Sequence, residues 1–141
     1  AFAARGAAVL ILGSAGEREL GEEIRAAAAT DIVRNLCGRT SLADVVDLLS
    51  AVDVAVTNDS GLMHVAAAAG ADVVAIYGSS SPSLTPPLTK SRQILYLGLD
   101  CSPCFARTCP LTHLRCLREI AVSDVLSAAD IALGARHSND G

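Results

Sequence analysis

The stretch at residues 53–70 constrains this chain more than any other. It opens on Asp53 and the short apolar run Val54, Ala55, Val56, Thr57, passes through Asn58, Asp59, Ser60 and Gly61, and continues as Leu62, Met63, His64, Val65 and four alanines before Gly70. β-Branched residues pack well on a pleated surface, so 54–57 reads as a short buried strand. Asn58 to Gly61 cannot easily continue it. Asp59 and Ser60 are good helix N-caps, because either side-chain oxygen can accept from the free N–H groups of a first turn. A helix over 61–69 follows, ending at Gly70, which tolerates the left-handed conformation common past a helix end. The strand thus aims its C-terminal end at a helix N-terminus, where unpaired N–H groups and the positive end of the dipole suit a phosphate. Open α/β sheets bind ligands at this edge. His64, in the first turn, is placed either to reach an anion held by the loop or to bond a carbonyl on the helix surface. Asp59 is either a ligand contact or a capping carboxylate.

The rest of the chain alternates in the same way. Residues 7–12 are apolar, Gly13, Ser14, Ala15 and Gly16 break them, and the charged run 17–29 repeats Leu20, Ile24, Ala27 and Ala28 at helical spacing, which predicts one face packed on a sheet. The glycine turn lacks the full dinucleotide fingerprint. A weaker strand is expected at 32–36. Ser41 with Asp44 three residues on, then Leu42, Val45, Val46 and Leu49, predicts a capped helix. Residues 73–77 read as a further strand, leaving through Gly78, Ser79, Ser80, Ser81 and Pro82 at the same sheet edge, where the hydroxyls could bond sugar or phosphate or simply make a turn. Pro82, Pro86 and Pro87 keep 83–88 extended, 93–97 is the last strand, and a C-terminal helix runs from Ser123 to Gly134, followed by a flexible tail at 135–141. Strand–helix alternation argues for a parallel sheet with right-handed crossovers.

The chain has 141 residues, the size of one domain, and its 51% apolar but only 3% aromatic content demands a core of Ala, Val, Leu and Ile. A formal net charge of −4 with no basic cluster argues against nucleic-acid binding. No apolar run reaches the roughly 20 residues needed to span a bilayer, and the start lacks the layout of a secretion signal, so a cytoplasmic chain without a transmembrane segment is expected. It begins without Met and runs almost at once into a buried strand, which reads as a fragment of something longer.

Four of the five cysteines, Cys101, Cys104, Cys109 and Cys116, share one segment with His113. Cys-x-x-Cys followed by two further thiols could close a tetrahedral zinc site, although the spacing is not that of a standard zinc ribbon. Reduced thiols and disulfides are the alternatives. Cys37, alone among apolar neighbours, reads as a small core residue.

Thr57 to Ala68, followed by Val73-Val74-Ala75-Ile76-Tyr77-Gly78-Ser79-Ser80-Ser81-Pro82 and Thr85-Pro86-Pro87, resembles the ADP-heptose:lipopolysaccharide heptosyltransferases of glycosyltransferase family 9, heptosyltransferase II-like, over residues 8–133. The resemblance implies an α/β, Rossmann-like parallel sheet flanked by helices, the C-terminal donor-binding domain of a GT-B glycosyltransferase truncated at its N-terminal edge. Residues 1–134 would form that domain, with 101–116 as a cysteine-rich insert of a kind found in many such sequences and acting as a structural clip. It implies an inverting, metal-independent transfer of L-glycero-D-manno-heptose from ADP-heptose to the lipopolysaccharide inner core, with no cofactor. The implied donor-binding residues are Gly13 in the turn near the nucleotide, Glu17 (or Glu19) on the ribose hydroxyls, Thr40 by the adenine, Ser60, Gly61 and Leu62 on the pyrophosphate, Asp59 on the heptose and His64 by the phosphates. No catalytic residue and no metal ligand is expected in this chain. The acceptor contacts, the general base and a phosphate-binding lysine loop are expected in missing parts, so the chain alone should be inactive. Two rivals stand beside this reading: another GT-B sugar-nucleotide transferase, and a non-catalytic metal-binding or interaction module built on the cysteines.

Overall fold

Short strands, each followed by a turn, assemble here into two parallel sheets. The computed structural model describes residues 1–137, which separate into two units, Ala1–Asp47 and the remainder from Leu48.

In the first unit, β1 (Val9–Ile11) pairs in parallel with β2 (Val33–Asn35), Val9 lying opposite Val33 and Ile11 opposite Asn35. Between them a 3-10 turn at Ala15–Glu17 leads into α1 (Arg18–Ala28), which packs on β2. Leu20 and Ile24, expected to form the packed face of this helix, are 57% and 49% exposed. The contact falls instead at Gly21, where an added Cβ would lie 2.5 Å from Asn35 Oδ1. Asn35 Nδ2 in turn donates to the Arg18 carbonyl at 2.9 Å. A residue without a side chain lets the helix come down on a polar strand end, so its bulky neighbours stay outside. After β2 the chain turns through Gly38, whose φ of +68° and whose clearance from Ala15 Cα (2.6 Å to an added Cβ) leave room for no other residue. Then α2 (Leu42–Ala51) begins under the expected cap. Ser41 N–H and Oγ both donate to Asp44 Oδ2, at 2.8 and 2.7 Å, and Asp44 N–H donates back to Ser41 Oγ at 3.2 Å.

In the second unit, β3 (Val54–Asn58), β4 (Asp72–Tyr77) and β5 (Arg92–Tyr96) form a parallel sheet in that order, with Val56 opposite Val74 and Ala75 opposite Ile94. Side chains alternate between faces along a strand, so burial of successive residues Asp72 to Ala75 means that both faces of β4 are covered. The covering elements are α3 (Gly61–Ala69) and α5 (Val122–His137), both packed on β3 and β4, with α5 reaching β5 as well. Met63, Val73, Val74 and Tyr77 lie fully buried at the centre. Ala66, Ala67, Ala128, Ala129 and Ala132 complete the core, small residues that let the helices sit close to the sheet. A one-turn helix, α4 (Arg115–Arg118), precedes α5. α5 does not stop at Gly134 but continues to His137, so three residues of the expected tail are helical, and 138–141 lie outside the described residues. The α/β class and the parallel pairing agree with the sequence reading. Among the described residues no helix is long and apolar enough to cross a membrane.

Candidate functional site

The corner between β3 and α3 carries most of the candidate residues of the second unit. Asp59 follows β3 and is still bonded to the neighbouring strand β4, its N–H donating to the Ile76 carbonyl at 3.3 Å. Ser60 is the N-cap, extended at φ −157° and ψ 168°, but its side chain makes no capping bond. The expected side-chain cap is therefore absent; Met63 N–H turns back to the Ser60 carbonyl at 3.1 Å, and the amides of Gly61 and Leu62 remain the unmet donors general to helix starts. Gly61 has nothing within 4 Å of an added Cβ, so the space over the helix start is open. Leu62 and His64 are half-buried in that first turn. α3 closes as expected at Gly70, φ +88°, with its N–H on Ala66 and Ala67 carbonyls.

The Asp59 carboxylate does not cap the helix either. Its Oδ2 accepts from Thr85 Oγ1 at 3.1 Å. Thr85 is in turn fixed by Tyr77, whose buried hydroxyl donates to the Thr85 carbonyl at 2.6 Å and lies 3.4 Å from Met63 Sδ. Burial first, and the nearby charge of Asp59 second, push the Tyr77 phenol above its ordinary range, so it stays a donor. Sequence does not single out Thr85 as a site residue. The Thr85-Pro86-Pro87 run announces an extended backbone, not what that backbone faces.

The loop after β4 is held from another side. Phe105 N–H donates to the Ser79 carbonyl at 2.7 Å, Ser102 Oγ to the Gly78 carbonyl, and an added Cβ at Gly78 would sit 2.8 Å from Leu117 and 3.4 Å from Cys116 Sγ. The cysteine-rich segment thus braces the loop that leaves the sheet beside the β3–α3 corner. Its four cysteines, all free thiols, line one cavity of about 110 Å³ with Arg107 and His113. Among the described residues no three metal-ligating side chains stand close enough to hold an ion. The His113 Nδ1 accepts from Arg115 N–H at 3.0 Å. At Cys109 the backbone N–H of Leu114 first, with those of Leu111, His113 and Thr112, holds the thiol below the ordinary range against the opposing effect of burial.

In the first unit, Gly13 and Glu17 share one turn. The Glu17 Oε2 accepts from Ser14 N–H and Ser14 Oγ, both at 2.7 Å, and these bonds hold its carboxyl below the usual carboxylate range. Gly13 accepts from Gly38 N–H at 3.0 Å, and an added Cβ would meet Cys37 Sγ at 3.0 Å and Glu17 Oε2 at 3.1 Å. Cys37 is buried, as its apolar context suggests. Glu19 is exposed on α1, and Thr40 is half-buried just ahead of the α2 cap.

Comparison with known proteins adds the following. The model of glycosyltransferase family 9 (heptosyltransferase) matches residues 1–115. Over 96 residues the chain is 45% identical to lipooligosaccharide heptosyltransferase 2 of Haemophilus influenzae, covering 66% of this chain and 28% of that protein. Over 92 residues it is 49% identical to lipopolysaccharide heptosyltransferase 2 of Escherichia coli, covering 63% and 26%. The solved structure of E. coli ADP-heptose lps heptosyltransferase II superposes with a TM-score of 0.77 at 38% identity, over 92% of this chain and 37% of that one. A family 9 glycosyltransferase structure from Veillonella parvula shares the fold, with a TM-score of 0.77 at 24% identity. The chain spans about a quarter of the length of these curated relatives.

Proposed function

The chain belongs to glycosyltransferase family 9, the heptosyltransferases, and from that premise we propose that it carries the donor-binding residues of an enzyme that moves heptose from ADP-heptose to the lipopolysaccharide inner core. In this reading the transfer inverts the anomeric centre, needs no catalytic metal and takes place in the cytoplasm. The amides of Ser60, Gly61 and Leu62 hold the diphosphate and stabilise the negative charge that grows as ADP leaves, which is the kind of fixed-dipole stabilisation that lowers a transition state most. Asp59 bonds heptose hydroxyls and His64 lies by the phosphates. Gly13, Glu17 and Thr40 are assigned to the nucleoside, the bonds from Ser14 favouring the charged form of the Glu17 carboxyl. The acceptor and the general base fall outside the roles of these residues.

The observation that carries the reading is the open space over Gly61 at the C-terminal edge of a parallel sheet, beside helix amides that no side chain caps. A Gly61→Leu substitution tests it, because its Cβ meets nothing within 4 Å and the side chain grows from there over the helix start. Calorimetry should find ADP binding in the wild type and at least a tenfold weaker affinity in the variant, about 1.4 kcal/mol, with circular dichroism and melting temperature retained. Equal affinities, or no ADP binding by the wild-type chain, would refute it.

A further inference from the structure

The Asp59 carboxylate is held by a residue 26 positions away in sequence, and the way it is held leaves one oxygen for a ligand. Thr85 Oγ1 has a single proton and two acceptors within reach, Asp59 Oδ2 at 3.1 Å and the Ser81 carbonyl at 3.4 Å. The carboxylate accepts that hydrogen bond, being nearer and charged, and charge-assisted bonds are roughly twice as strong as neutral ones. Oδ1 then has no partner among the described residues. Thr85 itself cannot drift. Its N–H donates to the Ser81 carbonyl at 3.2 Å, Tyr77 grips its carbonyl at 2.6 Å, and Pro86 and Pro87 follow, the latter fully buried. Tyr77 belongs to β4 and its hydroxyl touches Met63 of α3, so the chain of contacts that starts at Asp59, just past β3, ends on α3.

We propose that Thr85 is a positioning residue for sugar selectivity: its hydroxyl pins Oδ2 of Asp59 so that Oδ1 faces the sugar of a nucleotide-linked donor, while the nucleotide is held elsewhere. This rests on the donor-binding reading above. A polyhydroxylated sugar presents donors of fixed geometry, and a carboxylate free to rotate about χ2 meets them less often than one held at a single angle. Affinity for the sugar, not for the diphosphate, should therefore depend on Thr85.

The test compares dissociation constants for ADP and ADP-heptose on the full chain by calorimetry, in wild type, Thr85→Val and Thr85→Ser. Thr85 is exposed and valine keeps its shape, so folding is not at stake, and melting temperature verifies this. The expected result is a wild type that prefers ADP-heptose over ADP, a valine variant that loses about tenfold of that preference with ADP affinity unchanged, and a serine variant that restores it. A valine variant that keeps the full preference overturns the role of Thr85 while leaving the donor reading intact. So does one that loses ADP and ADP-heptose binding equally. A wild type that binds neither compound removes the donor reading, and the positioning role with it.

Discussion

Cys109 shows how much a backbone can change one side chain. The backbone N–H of Leu114 first, with those of nearby residues, favours its thiolate, which then forms at lower pH than a free one. The sign is definite. A lowered pKa means a larger thiolate fraction near neutrality, so alkylation by iodoacetamide should run faster at Cys109 than at a free peptide thiol at pH 7. That advantage should vanish as pH rises past the ordinary thiol value of about 8.5. Peptide mapping by mass spectrometry across pH reads it out, and a profile equal to that of the free thiol contradicts the geometry. Nothing in the spacing of the four cysteines foretells which would be singled out, because the selection comes from backbone amides that follow the residue and not from the residue types. Asp59 teaches the same lesson. Its candidacy is legible from its place before a helix, but its partner Thr85 is not, since a bond across 26 positions depends on how two loops return to one sheet edge.

Among the elements, β3 and α3 were legible almost to the residue. There the β-branched run, the polar break, the small helical residues and the closing glycine all favour the same structure. Where one signal stood alone, reading failed. Gly134 was a poor stop because a helix-interior glycine costs only about 1 kcal/mol, and α5 is a long helix packed on all three strands of the sheet. The Leu20 and Ile24 stripe was a poor guide to packing because Gly21 determines how α1 meets β2. α4, four residues long, is too short to show any period. The structural weight of α3 sits in Met63, fully buried and in contact with the Tyr77 hydroxyl. Met63→Ala should lower stability by about 2–5 kcal/mol, measured by urea unfolding, and a loss under about 1 kcal/mol would mean that the site collapses or is less tightly packed than described.

At the scale of the whole molecule, the two units are unequal. Val33, Cys37 and Val45 are the buried apolar residues of the first, whereas the second buries Met63, Tyr77, the valines of β4 and the alanines of α3 and α5. Fewer buried contacts mean lower opening free energy. Native-state hydrogen exchange should therefore find the amides of β1 and β2 exchanging through cheaper openings than those of β4, and equal protection of both sheets would argue for a single cooperative unit. The bare N-cap at Ser60 has an effect at this scale too. A helix that begins without a side-chain partner forgoes part of the stability a cap contributes, roughly 0.5–2 kcal/mol, and an anion seated on those amides would restore it. The empty protein is then the less stable one, and its melting point becomes a gauge of whatever anion has arrived.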